Sequence, residues 1–74
     1  MSDEAIRRQL RRSAVTHLIE WVMCHESLSL PDATRLVYDS SLYALIEDEQ
    51  TGLYREGPAY LYDMLLEERG LPRR

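Results

Sequence analysis

The sequence predicts an all-α fold: a small bundle of one long N-terminal helix (about 3–27) and three shorter helices (about 30–39, 41–50 and 58–69). Three observations lead there. Apolar residues recur at helical spacing from Ile6 to Leu28. Serine, glycine and proline then divide the rest of the chain with helix start and stop signals. No segment alternates apolar and polar residues at period two for long enough to make a strand.

The first helix has Ser2 or Asp3 as N-cap and acids in its first turn, where the helix dipole favours them. Ile6, Leu10, Ala14, His17, Leu18, Trp21, His25 and Leu28 lie on one stripe. The opposite face begins charged, at Arg8 and Arg12, and turns apolar at Val15, Ile19, Val22 and Met23. The second half of the helix is therefore apolar nearly all round, which suits either the centre of the fold or an interface. Self-association through Val15, Ile19, Val22 and Met23, giving a homodimer, is one expectation from this pattern.

Ser29 with Asp32 reads as a capping box, and Pro31 falls in the first turn of the second helix, whose Ala33, Leu36 and Val37 point inward. Asp39, Ser40 and Ser41 break the chain, because their side chains can bond nearby backbone and cap a new start. The third helix turns Leu42, Leu45 and Ile46 inward and stops at Gly52. Leu53 to Glu56 reads as a short extended connection. Gly57 and Pro58 start the last helix, with Leu61, Tyr62, Leu65 and Leu66 inward; Gly70 and Pro72 end it.

The chain of 74 residues makes a single helical domain, 1–74. A chain this short buries only roughly 60 % of the surface that its unfolded form exposes, so its stability margin is thin. The net charge of −4 argues against direct nucleic-acid binding, which needs a cationic footprint. That charge is unevenly placed. Residues 26–68 hold ten acids against Arg35 and Arg55, a local net of −8, between ends of +1 and +3. An acidic middle suits a protein partner with a cationic surface. All nine basic residues are arginine, which favours bidentate pairing with the chain's own acids.

Cys24 is alone, so no intramolecular disulfide forms, and no signal peptide is visible. The longest near-apolar stretch, Val15 to Cys24, is broken by Thr16, His17 and Glu20 and is too short to span a bilayer. A cytoplasmic location follows as the expectation.

Nothing in the sequence points to catalysis, a cofactor or a metal. His17 and Cys24 are separated by two helical turns, roughly 10 Å at about 1.5 Å per residue, too far to share an ion. Adjacent Cys24 and His25 point about 100° apart, and a partly buried histidine pair is the expected arrangement. Ser40 and Ser41 lack a histidine partner and read as caps. Glu47, Asp48 and Glu49, and again Glu67 and Glu68, sit near helix C-termini, where acids oppose the dipole. Pairing with Arg55 or Arg69 would account for them; a recognition role is the other reading. Arg7, Arg8, Arg11 and Arg12 read as solvated helix surface.

Five tyrosines in a chain with no phenylalanine are the sharper signal. Tyrosine combines contact area with a hydroxyl and is enriched at interfaces. The expected partner-binding set is Tyr43, Glu47, Asp48, Glu49, Tyr54, Arg55, Glu56 and Tyr60, with Tyr54 and Tyr60 the more exposed tyrosines.

The run carrying Tyr38, Ser40, Tyr43, Leu53-Tyr54, Gly57-Pro58 and Tyr60-Leu61-Tyr62 resembles a group of short bacterial proteins of unknown function, sometimes encoded beside toxin-like enzymes such as ADP-ribosyltransferase-like proteins. The likeness covers about half the chain. It implies an antitoxin-like or accessory binding role and transfers no catalytic residues. The chain lacks the disordered arm or DNA-binding motif of many antitoxins.

The functional expectation is a small non-enzymatic protein-binding module that occludes or regulates a cytoplasmic partner, as an antitoxin does its toxin-like enzyme. Two alternatives come from other classes. One is a phage- or mobile-element-encoded, anti-CRISPR-like inhibitor of a bacterial defence nuclease, using its acids to mimic nucleic acid. The other is a homodimeric structural protein.

Overall fold

A long run without glycine or proline lets the first helix, α1, extend unbroken over Asp3–Glu26. At about 1.5 Å per residue it is about 36 Å long, close to the 39 Å longest dimension of the molecule. The computed structural model describes residues 3–71. The Ser2 cap and the Pro72 stop lie outside the described residues. Ser27 ends α1 in the left-handed region at φ 54°, a conformation that costs an L-residue roughly 1–2 kcal/mol and that helix ends usually give to glycine.

Three more helices follow: α2 (Leu30–Tyr38), α3 (Ser41–Glu47) and α4 (Pro58–Glu68). Their starts follow the sequence signals. The Ser29 hydroxyl accepts from the Asp32 amide, and that of Ser40 from the Tyr43 amide while donating to the Val37 carbonyl. α3 is shorter than its sequence signals suggest. Asp48 leaves helical geometry and accepts from the Gln50 amide, capping a separate 3-10 turn over Glu49–Thr51. Gly52, at φ 69°, supplies the left-handed residue that closes this turn. Leu53 to Glu56 is not extended: Leu53–Arg55 is a second 3-10 turn, which folds Tyr54 back into the core. Among the described residues there is no strand.

The core joins α1 to everything after it. Leu18 and Val22 of α1 meet Ala33 and Val37 of α2, Leu42 and Ile46 of α3, and Leu61 and Leu65 of α4, all closed to solvent. The buried stripe of α1 is Val15, Leu18, Ile19 and Val22, the i, i+3, i+4, i+7 pattern. This corrects the expected stripe. Ala14 and Leu18 are buried and Trp21 and Leu28 half-buried, but Ile6, Leu10, His17 and His25 are exposed. The chain packs back on the neighbouring face because that face is apolar through four consecutive turn positions, whereas the expected stripe is interrupted by two histidines. The same finding corrects the self-association surface. Val15, Ile19 and Val22 are covered by the chain's own helices, and Met23 is half-buried against them, so this face is core and not a free surface.

Ion pairs tie both ends of α1 to the second half. Arg7 donates through Nε to Glu49, and Arg11 Nη1 lies 3.1 Å from the same carboxylate. At the other end the Glu26 carboxylate accepts from Arg69 Nη1 and from the Tyr62 hydroxyl, each at 2.7 Å. These two bonds hold the Glu26 carboxyl below its ordinary range, outweighing the larger upward push of its partial burial.

Candidate binding groove

Two of the acids near helix C-termini, Glu49 and Glu68, have structural partners. Glu49 is clamped by Arg7 and Arg11, and the hydrogen bond from Arg7 is the main reason its carboxyl sits below the ordinary range. Glu68 reaches across to α3, where its carboxylate accepts from the amides of Ser41 (2.8 Å) and Leu42 (3.0 Å). An acid at the unfavourable end of α4 is thus an acid at the favourable end of α3, satisfying two amides that α3 leaves open. The expected pairing of these acids with arginine holds for Glu49, but through Arg7 and Arg11. Arg69 pairs with Glu26, and the Arg55 guanidinium lies over the Tyr54 ring at 5.4 Å.

The expected partner-binding residues do not form one surface. Tyr54 is 5 % exposed and belongs to the core, which corrects its reading as an exposed anchor. Its 3-10 turn rotates the ring inward, a local geometry that spacing rules for helices and strands do not reveal. Tyr60 is 53 % exposed, as expected. It stands on α4 one turn before Met64, which lines a shallow hollow with Leu42 and Leu45. Asp48 caps its turn, and Arg55 and Glu56 are exposed.

Tyr43 and Glu47 face elsewhere. One turn apart on α3, they point about 160° away from Leu45 and line an open groove of about 510 Å³ between α3 and α1. Its other wall is Arg8, Arg11 and Arg12, its floor Val15, Thr16 and Ile19, and its lip Tyr38. The Tyr38 and Tyr43 rings stack, with centroids 4.5 Å apart and planes at 19°. Tyr43 is half-buried and Tyr38 is 52 % exposed, so the stack presents an open ring face. Partial burial, and after it the nearby Glu47 carboxylate, raises the Tyr43 phenol above its ordinary value.

The three arginines differ in what holds them. Arg8 has a distant contact with Glu4 at 4.0 Å, both side chains well exposed, which is worth little. Arg11 is largely buried; its Nε and Nη1 are shut off from solvent with no hydrogen-bond partner. The 3.1 Å approach of Nη1 to Glu49 is off the hydrogen-bonding direction, so that contact is an ion pair and nothing more. Arg12 has no partner among the described residues. The contribution of these arginines was hidden in the sequence. Arg8, Arg12 and Thr16 share one helix face by spacing, but nothing local says that the Tyr38–Tyr43 corner folds beside them.

The groove offers guanidinium donors, an aromatic face and an apolar floor, the parts of a recognition site. Among the described residues no three His, Cys, Asp or Glu side chains converge as a metal site, and no helix is long and apolar enough to cross a membrane. His25 stacks on Trp21 with centroids 4.8 Å apart, its Nδ1 3.0 Å from the Trp21 carbonyl, and Cys24 is exposed beside it. No family model matches the chain, and neither does any curated protein or solved structure.

Proposed function

We propose that the chain is a small, non-enzymatic protein-binding module that occludes or regulates a cytoplasmic partner, in the manner of an antitoxin with its toxin-like enzyme. The observation that carries the reading is the stacked Tyr38–Tyr43 pair, with Tyr38 open to solvent, across a groove from Arg8 and Arg12, neither of which has a strong partner among the described residues. Tyrosine and arginine are the residues that most often anchor interfaces. Groups of this kind left on a surface favour recognition as their role. The toxin-like nature of the partner is proposed on the resemblance of the Tyr38–Tyr62 run alone. The nuclease-inhibitor alternative is less favoured, because Glu26, Glu49 and Glu68 are engaged within the fold and so are poor phosphate surrogates.

The test is parallel affinity purification of the tagged full chain and its Tyr38→Ala/Arg12→Ala variant from the native host. Both replaced side chains are solvent-facing, so the variant should fold, which circular dichroism checks. A stoichiometric protein held by the wild type and lost by the folded variant supports the reading. Equal retention by the two removes the groove from it. A clean homodimer with nothing else bound overturns it.

A further inference from the structure

We propose that the groove between α1 and α3 receives a short acidic segment of the partner protein, with glutamate or aspartate side chains on Arg8 and Arg12 and an apolar side chain against the Tyr38 ring. The inference rests on the protein-binding reading above and deepens it. It also reverses the sign expected of the partner at this point, since a chain of net charge −4 with an acidic middle suggests a cationic one.

Charge within the groove decides the sign. Three guanidiniums line it against one carboxylate, Glu47. Glu49 neutralises part of Arg11 from behind, but among the described residues Arg12 has no partner and Arg8 only the 4.0 Å contact with Glu4. A cation entering here would meet three like charges. A carboxylate would gain charge-assisted hydrogen bonds that the fold itself leaves unmade. Arg11, largely buried and paired with Glu49, adds positive charge behind the wall, and Arg8 and Arg12 supply the accessible donors.

Size and surroundings decide the kind of occupant. Arg8 to Ile19 spans about 16 Å along α1, roughly five residues of extended peptide at about 3.3 Å each. The exposed Tyr38 face, beside the nearly closed floor of Val15 and Ile19, suits a peptide that sets an apolar side chain among acidic ones. A nucleic acid is disfavoured, because a polyanion longer than the groove would run against the acidic remainder of the molecule within about one screening length.

The test uses the full chain and defined probes. Isotope-labelled protein is titrated with a blocked pentapeptide of glutamates around a central leucine, its glutamine counterpart, its lysine counterpart, and inorganic phosphate. The expected result is amide shifts at Thr16, Tyr38 and Tyr43 with the glutamate peptide, about tenfold tighter than the glutamine peptide and weakened by raising salt from about 0.1 M to about 1 M. Arg8→Gln/Arg12→Gln should abolish the difference between the two peptides while leaving the circular dichroism spectrum unchanged. Three results overturn the proposal: equal binding of the glutamine peptide, preference for the lysine peptide, or phosphate competing as well as the glutamate peptide, which would assign the groove to phosphoryl groups. The two levels separate cleanly. A native partner lost on Tyr38→Ala/Arg12→Ala but retained by Arg8→Gln/Arg12→Gln leaves the binding reading standing and removes the acidic segment.

Discussion

Replacing Tyr54 by alanine should remove a large share of this protein's stability rather than trim a binding surface. Tyr54 is 5 % exposed in the 3-10 turn Leu53–Arg55, packed in the core shared with α1, α3 and α4. A buried aromatic side chain takes roughly 150–250 Å² out of water, about 4–6 kcal/mol at about 25 cal/mol per Å². Core truncations of this kind cost about 3–5 kcal/mol when measured. The lower end, about 3 kcal/mol, applies here because a three-residue turn can settle partly into the space. For a chain of this length the whole stability is roughly 4–11 kcal/mol at about 0.05–0.15 kcal/mol per residue. The assay is urea unfolding followed by far-ultraviolet circular dichroism, comparing Tyr54→Ala with Tyr54→Phe. The phenylalanine variant keeps the ring and should lose less than about 1 kcal/mol. A Tyr54→Ala variant that stays folded and loses under about 1 kcal/mol would show that the ring is not part of the core.

Three further outcomes follow from named contacts. Ser27→Gly should raise stability by about 0.5–1 kcal/mol, the relief of a left-handed serine less the greater freedom glycine has when unfolded; an unchanged or lower urea midpoint would remove the strain. Glu68→Ala should cost about 1 kcal/mol by stripping the two amide bonds at the start of α3, and a neutral result would mean that water replaces the carboxylate without loss. Glu26 and Glu49 have carboxyls held below their ordinary value of 4.5 in the folded state. The unfolded chain therefore takes up protons first as pH falls, so their contribution is complete above that value and is lost on descending through the folded values. The urea midpoint should hold steady from neutral pH to about 5.5 and drop below about 4.5, and Glu26→Gln/Glu49→Gln should flatten that drop; a variant with the same acid profile as wild type would rule these pairs out as its cause.

Local signals gave the helices and misjudged how they meet. Ser29, Ser40, Gly52, Gly57 and Pro58 mark element ends because each acts on backbone within a few residues of itself, and the structure uses every one of them. The face of α1 that turns inward depends on what packs against it, and two apolar stripes competed. The stripe with His17 and His25 lost to the uninterrupted Val15–Val22 stripe, so the proposed dimer face became the core. Tyr54 was misplaced because a 3-10 turn has neither helical nor strand periodicity to read. The acids carried a true signal with a wrong sign. Their position at helix C-termini is unfavourable locally, but Glu68 caps another helix and Glu49 holds α1, contacts made over long stretches of chain. Of the expected binding residues, Tyr43 and Glu47 share the groove; the arginines opposite them read as solvated surface by sequence alone, because the corner that folds beside them is distant in the chain.

The most direct measurement is the affinity of the native partner, once co-purified and identified by mass spectrometry, for the wild-type chain and for Tyr38→Ala/Arg12→Ala, with light scattering to fix stoichiometry. The account predicts a defined complex with the wild type and a loss of about 2 kcal/mol or more, roughly thirtyfold, in the folded variant. Equal affinity of the two proteins for that partner would contradict a binding role for the groove.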